Sequence, residues 1–266
     1  MNSKKGIIKS SISLSFTIIA GMSTIAGLWG YTLKDINDNL NWWQCGVILF
    51  VCFFAIAFVI FIIKLSLAHR EYSTKINGKR VDIKIGDIFE ESGLKVIPFN
   101  ENFDTIVDDK IISHNSLNGQ LIDKHIKNID ELNKVIADTK SNELSKKNKK
   151  FELGKIIPYN DYLLLSLSHF DSENRAYING GEYEIMLIRM WNELRRTYAG
   201  NPISIPLLGG GITTIEGIGY KNYTNLLKCI LCTLKTSKFQ PENGITIVLT
   251  KSMIKEIDMN KIKEEF

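Results

Sequence analysis

Clustered cysteine and histidine, signature phosphate loops and strong net charge are what this sequence has least of. Four cysteines occur in 266 residues. Cys45 and Cys52 fall in an apolar run, and Cys229 and Cys232 form a C-x-x-C inside an amphipathic stretch. A thioredoxin-type redox motif needs that pair at the start of a helix after a strand, whereas here it lies mid-helix. A zinc site needs a second Cys or His pair at ligand spacing, and none is present, so no metal site is expected. Core packing is the expected role of the pair, and nothing in it points to an oxidising compartment. The glycine run at 209–211 is not followed by Gly-Lys-Ser/Thr, which excludes a Walker A loop, and it does not make a G-x-G-x-x-G fingerprint. The formal net charge is only +4, too mild to point to nucleic acid. Lysines are interspersed with acids except at Lys146-Lys147-Asn148-Lys149-Lys150, expected to be a solvated loop. No internal repeat is found.

Charge is also missing from two long N-terminal stretches. The mean hydropathy of −0.02 averages a strongly apolar start and an ordinary charged remainder. After Lys4, Lys5 and Lys9, Ser10 to Leu33 carries no charge. At about 1.5 Å per residue it reaches roughly 36 Å, against a bilayer core of about 30 Å. Ser11, Ser13, Ser15, Gly21, Ser23, Gly27 and Gly30 are small residues that allow close helix approach. Trp42 to Ile63 is the second uncharged run, opened by the interfacial aromatics Trp42 and Trp43. Lys64, His69, Arg70, Lys75, Lys79 and Arg80 follow it, while the connecting loop holds Lys34, Asp35 and Asp38. The pattern predicts a transmembrane hairpin over 1–70, with helices at about 10–33 and 42–63, then a linker at 71–80. The positive-inside rule places both termini in the cytoplasm and the chain in the cell (inner or plasma) membrane. A cleaved signal peptide is disfavoured by the length of the first run and the second run close behind it. A buried soluble hairpin is disfavoured because core helices rarely stay uncharged so long.

From Val81 onward the pattern becomes α/β. Val81–Ile85 alternates as a strand and ends in Gly86-Asp87-Ile88. Leu94 to Phe99 is an apolar strand ending at Asn100, and Asn102 to Asn118 reads as a loop. Gly119 to about Ala137 has helical spacing, with Leu121, Ile122, His125, Ile126, Ile129, Leu132 and Val135 on its stripe. Tyr162–Ser168 reads as a buried strand. Glu182–Tyr198 is a helix with Tyr183, Met186, Leu187, Met190, Trp191, Leu194 and Tyr198 on one face, and Gly200 as its stop. Ile245–Leu249 is a last strand, and Ile254–Phe266 a charged helical tail. Strands alternating with helices argue for a mixed sheet flanked on both faces, with a ligand beyond the carboxyl ends of the strands.

The stretch most suggestive of chemistry is Ile203 to Thr214. An apolar strand runs to Leu208, Gly209, Gly210 and Gly211 follow, and an amphipathic helix carrying Tyr223, Leu226, Leu227, Ile230, Leu231 and Leu234 comes next. Glycine lets a ligand approach the backbone closely. Loop amides backed by a helix N-terminus favour an anion such as phosphate. A plain turn has the same composition. His114, alone in an irregular loop, is expected to be exposed rather than catalytic.

Taken in order, Gly86-Asp87-Ile88, a strand ending in Asn100, and Pro206-Leu207-Leu208-Gly209-Gly210-Gly211 resemble the macro domain. The resemblance spans roughly Val81 to Thr250. It implies a macro-domain-like α/β fold over 81–266, binding ADP-ribose or a related nucleotide with no cofactor. Asp87 matches the acid that accepts from the adenine amino group, with the backbone of Ile88 beside it. Asn100 matches the asparagine near the distal ribose, and Leu208 to Ile212 the second phosphate loop. Asp87 and Asn100 each have a second reading, as turn-forming residues. The family's Asn-Ala-Ala-Asn and following Gly-Gly-Gly-Val are missing; Asn100-Glu101-Asn102-Phe103 and Ser116-Leu117-Asn118-Gly119 stand there instead. The latter is taken as the replacement first loop, with Gly119 opening a helix N-terminus. That change argues against hydrolase chemistry and for a pocket remodelled around a variant ligand.

Two membrane helices ahead of a divergent macro domain resemble the transmembrane-macro effectors of type II Thoeris anti-phage defence. The resemblance implies that a TIR-domain enzyme consumes NAD and makes an ADP-ribose derivative, histidine-conjugated in this group. The macro domain binds that signal, and the membrane part assembles as a homo-oligomer and disrupts the lipid bilayer. It implies an effector without catalytic residues; the alternative is a membrane-tethered ADP-ribosyl hydrolase in which Asn100 positions a water.

Overall fold

The structure, a computed structural model, describes residues 12–21, 24, 41–68, 71–143, 150–217 and 222–266. The chain divides into two compact units, Met1–Glu71 and Tyr72–Phe266.

In the first unit residues 12–21 are helical. Thr17 and Thr24 turn their hydroxyls back onto the carbonyls of Ser13 and Ala20, at 3.1 and 2.8 Å, which pairs a polar group inside its own helix. Helix α1, Trp42–Ala68, is unbroken over 27 residues. Phe16 meets Phe53 edge-on with ring centroids 6.0 Å apart, so the helical residues at 12–21 pack against α1. Phe50, Phe54 and Phe58 are 63%, 53% and 64% exposed, a surface that water does not favour. Among the described residues, no helix is long and apolar enough to cross a membrane. Most of the expected first helix and the connecting loop lie outside the described residues.

The second unit opens differently from expectation. Residues 71–80 are not a linker: Glu71–Ile76 is strand β1, and Lys79–Ile85 is β2. Asn77 and Gly78 join them with φ of 53° and 78°, the paired positive values of a type I′ hairpin turn. Further strands are β3 (Leu94–Asn100), β4 (Ile156–Tyr159), β5 (Tyr162–Phe170), β6 (Ala176–Asn179), β7 (Ile203–Pro206), β8 (Thr214–Glu216) and β9 (Ile245–Leu249). The sheet order is β1-β2-β9-β7-β3-β5-β6-β8, with β4 paired to β5. Strands β2, β9, β7, β3 and β5 run parallel, while β4 and β6 lie antiparallel to β5. The parallel centre is covered on both faces, which explains why Leu163–Ser168 is buried without alternation.

On one face lie α4 (Gly180–Thr197) and α5 (Tyr223–Ser237). The expected stripe of α4 is fully buried from Tyr183 to Leu194 and partly buried at its last member, Tyr198, and Trp191 Nε1 donates to Thr233 Oγ1 of α5 at 3.0 Å. Asn179 and Glu182 close a reciprocal cap at its start. On the other face lie α2 (Leu117–Lys124) and α3 (Ile129–Glu143). One helix was expected here. The chain breaks at 125–128 because Asn128 accepts from Glu131 N–H at 3.2 Å and starts a second helix. The tail divides likewise into α6 (Met253–Glu256) and α7 (Met259–Glu265), where Asp258 caps the latter. Cys229 packs against the core as expected, but Cys232 is exposed. Residues 144–149 of the lysine-rich stretch lie outside the described residues. Lys150 is paired rather than simply solvated, at 2.6 Å from the buried Glu101.

Candidate functional site

A cavity of about 470 Å³ opens at the carboxyl ends of β2, β9, β7, β3 and β5, where the sheet pattern places a ligand. Asp87, Ile88, Asn100, Ser116, Leu117, Asn118, Gly209, Gly211 and Ile212 line it. Gly119, Leu208 and Gly210, also expected there, do not. Gly119 is buried, its N–H is donated to Ser116 Oγ at 2.9 Å, and a Cβ on it would lie 2.2 Å from the Ser113 carbonyl. Its role is to let α2 start against the loop. Leu208 is buried, and its carbonyl accepts from Tyr183 O–H at 2.8 Å. Burial pushes the Tyr183 phenol well above its ordinary value, which keeps it a neutral donor. Gly210 donates its N–H to the Leu207 carbonyl at 2.9 Å.

That last bond makes Leu207–Gly210 a β-turn. Its third residue, Gly209, has φ +76°, which a type II turn requires and an L side chain resists. The turn leaves main-chain donors over: among the described hydrogen bonds, none is donated by the N–H of Gly209, Gly211 or Ile212. No heavy atom stands within 4 Å of a Cβ placed on Gly211, and Ile212 is 67% exposed. The turn is therefore open at Gly211 and Ile212, while the side chains of Ile215 and Met253 close in on Gly209 and Gly210. It is not followed directly by a helix, however. Strand β8 intervenes, and α5 begins only after its cap, Asn222. The helix end that faces the cavity belongs instead to α2, through Ser116, Leu117 and Asn118.

The loop after β3 is closed on itself. Asn100 is 3% exposed; its Oδ1 accepts from the N–H of Asn102 and Asp104 at 3.0 and 3.2 Å, and its Nδ2 donates to Asp104 Oδ2 at 2.8 Å. This is the turn-forming reading. Ser116 Oγ caps α2 and donates to the Ser113 carbonyl at 2.7 Å. Asp87 caps the 3-10 turn at Ile88–Glu90 by accepting from Phe89 N–H at 3.0 Å through Oδ1. It is exposed, and Oδ2 has no partner among the described residues, so the cap and a ligand contact are compatible. Ile88 is buried beneath it.

Among the described residues lining the cavity, Asp87 is the only ionisable one. An anion there meets main-chain N–H groups and no lysine, arginine or histidine. His114 turns away from the cavity onto Asp123, with Nδ1 2.6 Å from Oδ2, and that bond raises its pKa. Glu101, buried next to Asn100, is held from two sides, by His169 Nδ1 and by the exposed Lys150, each at 2.6 Å. The described residues gather no set of His, Cys, Asp and Glu able to hold a metal. Sequence reasoning missed Phe99, Ser168, Phe170, Thr250 and Met253 of the lining. Four of them sit at the ends or just past the ends of β3, β5 and β9, where the carboxyl-end rule locates them without any motif.

Comparison with known proteins bears on this geometry. A family model described as "Thoeris protein ThsA, Macro domain" matches residues 81–250. The chain belongs to that family. A curated relative, the Thoeris protein ThsA of Bacillus amyloliquefaciens (strain Y2), is 35% identical over 240 residues, covering 83% of this chain and 80% of the relative. That likeness reaches beyond the macro-domain span, which ends at the family match. Among solved structures, a substituted Oceanobacillus iheyensis macrodomain with ADPR superposes with a TM-score of 0.51 at 14% identity, covering 73% of this chain and 98% of that one. At that identity it establishes the macro-domain fold alone. Of the cavity-lining residues discussed above, all but Met253 fall inside the matched span.

Proposed function

We propose that this protein is a ligand-gated membrane effector of anti-phage defence. Its macro domain binds an ADP-ribose-derived signal, histidine-conjugated ADP-ribose in the first instance, made by a partner TIR-domain enzyme. Binding drives assembly of the membrane hairpin as a homo-oligomer in the inner membrane, the bilayer is disrupted, and the cell stops before phage release. The observation that carries the binding step is the glycine turn. It presents N–H groups without a described partner to a cavity in which Asp87 is the one ionisable side chain among the described residues, and an adenine amino group is the donor proposed for it. Family membership and the macrodomain captured with ADPR support the same ligand class. The outward phenylalanines of α1 and the uncharged run 42–63 support the membrane step. Residues 64–80 carry the signal between the units, and ligand shifts assembly only by its preference for the assembled state.

The hydrolase alternative has less behind it. Asn100, the residue that would position a water, spends its carboxamide oxygen on two loop amides. Calorimetric titration of the full-length chain in detergent with ADP-ribose, ADP and histidine-conjugated ADP-ribose tests the reading. Saturable binding is expected, tightest for the conjugate; no heat from any of the three up to millimolar concentration would overturn it.

A further inference from the structure

Four carboxamides line the cavity, and the two that are buried, Asn100 and Asn118, are in opposite states. Asn100 has both ends engaged within its own loop. Asn118 is just as hidden, at 7% exposure, yet its Oδ1 has no hydrogen-bond partner, and no described residue pairs with its Nδ2. Its neighbours are all satisfied: Ser116 Oγ, the Gly119 N–H and the Gln120 side chain each have a partner. A buried amide group left unpaired is costly to a fold, and native proteins keep few of them. An apolar side chain of the same size would fill the position without that cost. The amide torsion of asparagine is broad, so the group can turn either end toward the cavity.

Where Asn118 sits says what could meet it. In the sheet, β2, β9, β7 and β3 are consecutive neighbours. Asp87 follows β2, the glycine turn follows β7, and α2 packs over β3. At about 4.8 Å per strand, β2 and β3 are about 14 Å apart. α2 runs down the sheet from the cavity: His125, at its C-terminal cap, stacks on Phe89 with centroids 4.2 Å apart and lies near Tyr162 at the amino end of β5. Asn118, about 10 Å back along the axis at 1.5 Å per residue, stays at the cavity end. The cavity thus presents an acid, then a row of amides, then an unpaired carboxamide. A base, a diphosphate and a second sugar follow one another in the same order. A vicinal pair of sugar hydroxyls both donates and accepts, and a carboxamide offers one acceptor and two donors.

We propose that Asn118 is the residue that reads the hydroxyls of the second sugar, and that it sets the preference for an ADP-ribose skeleton over a plain nucleoside diphosphate. This rests on the ADP-ribose reading above and assigns it a residue. Asn100, the position the family pattern points to, holds the loop in shape instead.

The test is titration of the full-length chain with ADP-ribose and with ADP, wild type against Asn118→Leu, with thermal unfolding of each empty protein. Leucine has a similar volume and cannot hydrogen-bond. We expect wild type to prefer ADP-ribose. The variant should lose at least tenfold for ADP-ribose and less than twofold for ADP, with an unfolding midpoint equal to or above wild type. A residue that merely supported the fold would lower the midpoint and weaken both ligands together. If leucine is not accommodated, Asn118→Ala gives the same comparison without added branching. Undiminished discrimination in the variants, or equal losses for the two ligands, overturns the assignment while leaving the binding reading intact. A wild type that binds neither ligand removes both.

Discussion

The two loops that form the mouth of the cavity have been built in opposite ways. The glycine turn after β7 holds itself with one main-chain bond, Gly210 to Leu207, and leaves its other amides open. The loop from Asn100 to Gly119 uses nearly everything it has. Asn100, Asp108, Asp109, Ser113 and Ser116 all bond within the loop, and among its buried polar side chains Asn118 is the exception. The difference separates two tasks. Main-chain donors that are free in the empty protein can be given to a ligand without breaking anything first. Side chains consumed by their own loop fix the shape of a wall and contribute little directly. With no cation among the described lining residues, the open turn supplies the attraction for an anion, and the closed loop the geometry against which the rest of the ligand packs.

Gly211→Glu should break the open side most severely. Its Cβ has room and its φ is not in the left-handed region, so the fold should be kept. The carboxylate then stands where the diphosphate is proposed to lie, and like charges brought together there cost several kcal/mol. Calorimetry should show at least a hundredfold loss for ADP-ribose with an unchanged unfolding midpoint.

On the closed side the effects should be reversed. Asn100→Ala removes three bonds and leaves Asp104 without its donor, which should lower stability by about 1–3 kcal/mol in urea titration. Binding should weaken less than stability. Asp87→Asn keeps an acceptor for Phe89 N–H and removes only the charge. It should cost binding about 1–2 kcal/mol with little change in unfolding, since a charge-assisted bond to the base becomes a neutral one.

The smallest effect concerns His114. Its bond to Asp123 raises the folded pKa above the ordinary 6.5. A group with a raised folded value contributes stability that is fully present below the unfolded value and is lost as pH rises through the folded one. Stability should therefore fall slightly between pH 6.5 and the folded pKa, and Asp123→Asn should flatten that slope. NMR titration of the His114 ring reads the pKa directly.

How much of this was legible depended on range. The stripe of α4 and the parallel strands announce themselves because periodic burial writes itself into consecutive residues. Strands β4, β6 and β8 are three or four residues long and leave no period to read. The Asn77-Gly78 hairpin was legible as a turn dipeptide but was read as part of a linker. The placing of Asp87 and the glycine turn on one cavity followed from strand order. The helix expected to back the glycine turn did not, because β8 interposes. Asn100 could have been suspected of bonding Asp104, four residues on. The isolation of Asn118 could not, since it arises only when α2 packs over β3.

The central claim is that the unpaired amides of the glycine turn hold the charged part of the ligand. Amide hydrogen exchange of the full-length chain, with and without saturating ADP-ribose, measures this at the atoms concerned. Slowed exchange at Gly209, Gly211 and Ile212, with the already bonded Gly210 changing least, is the expected result. Saturable binding that leaves exchange across 209–212 unaltered would contradict the account.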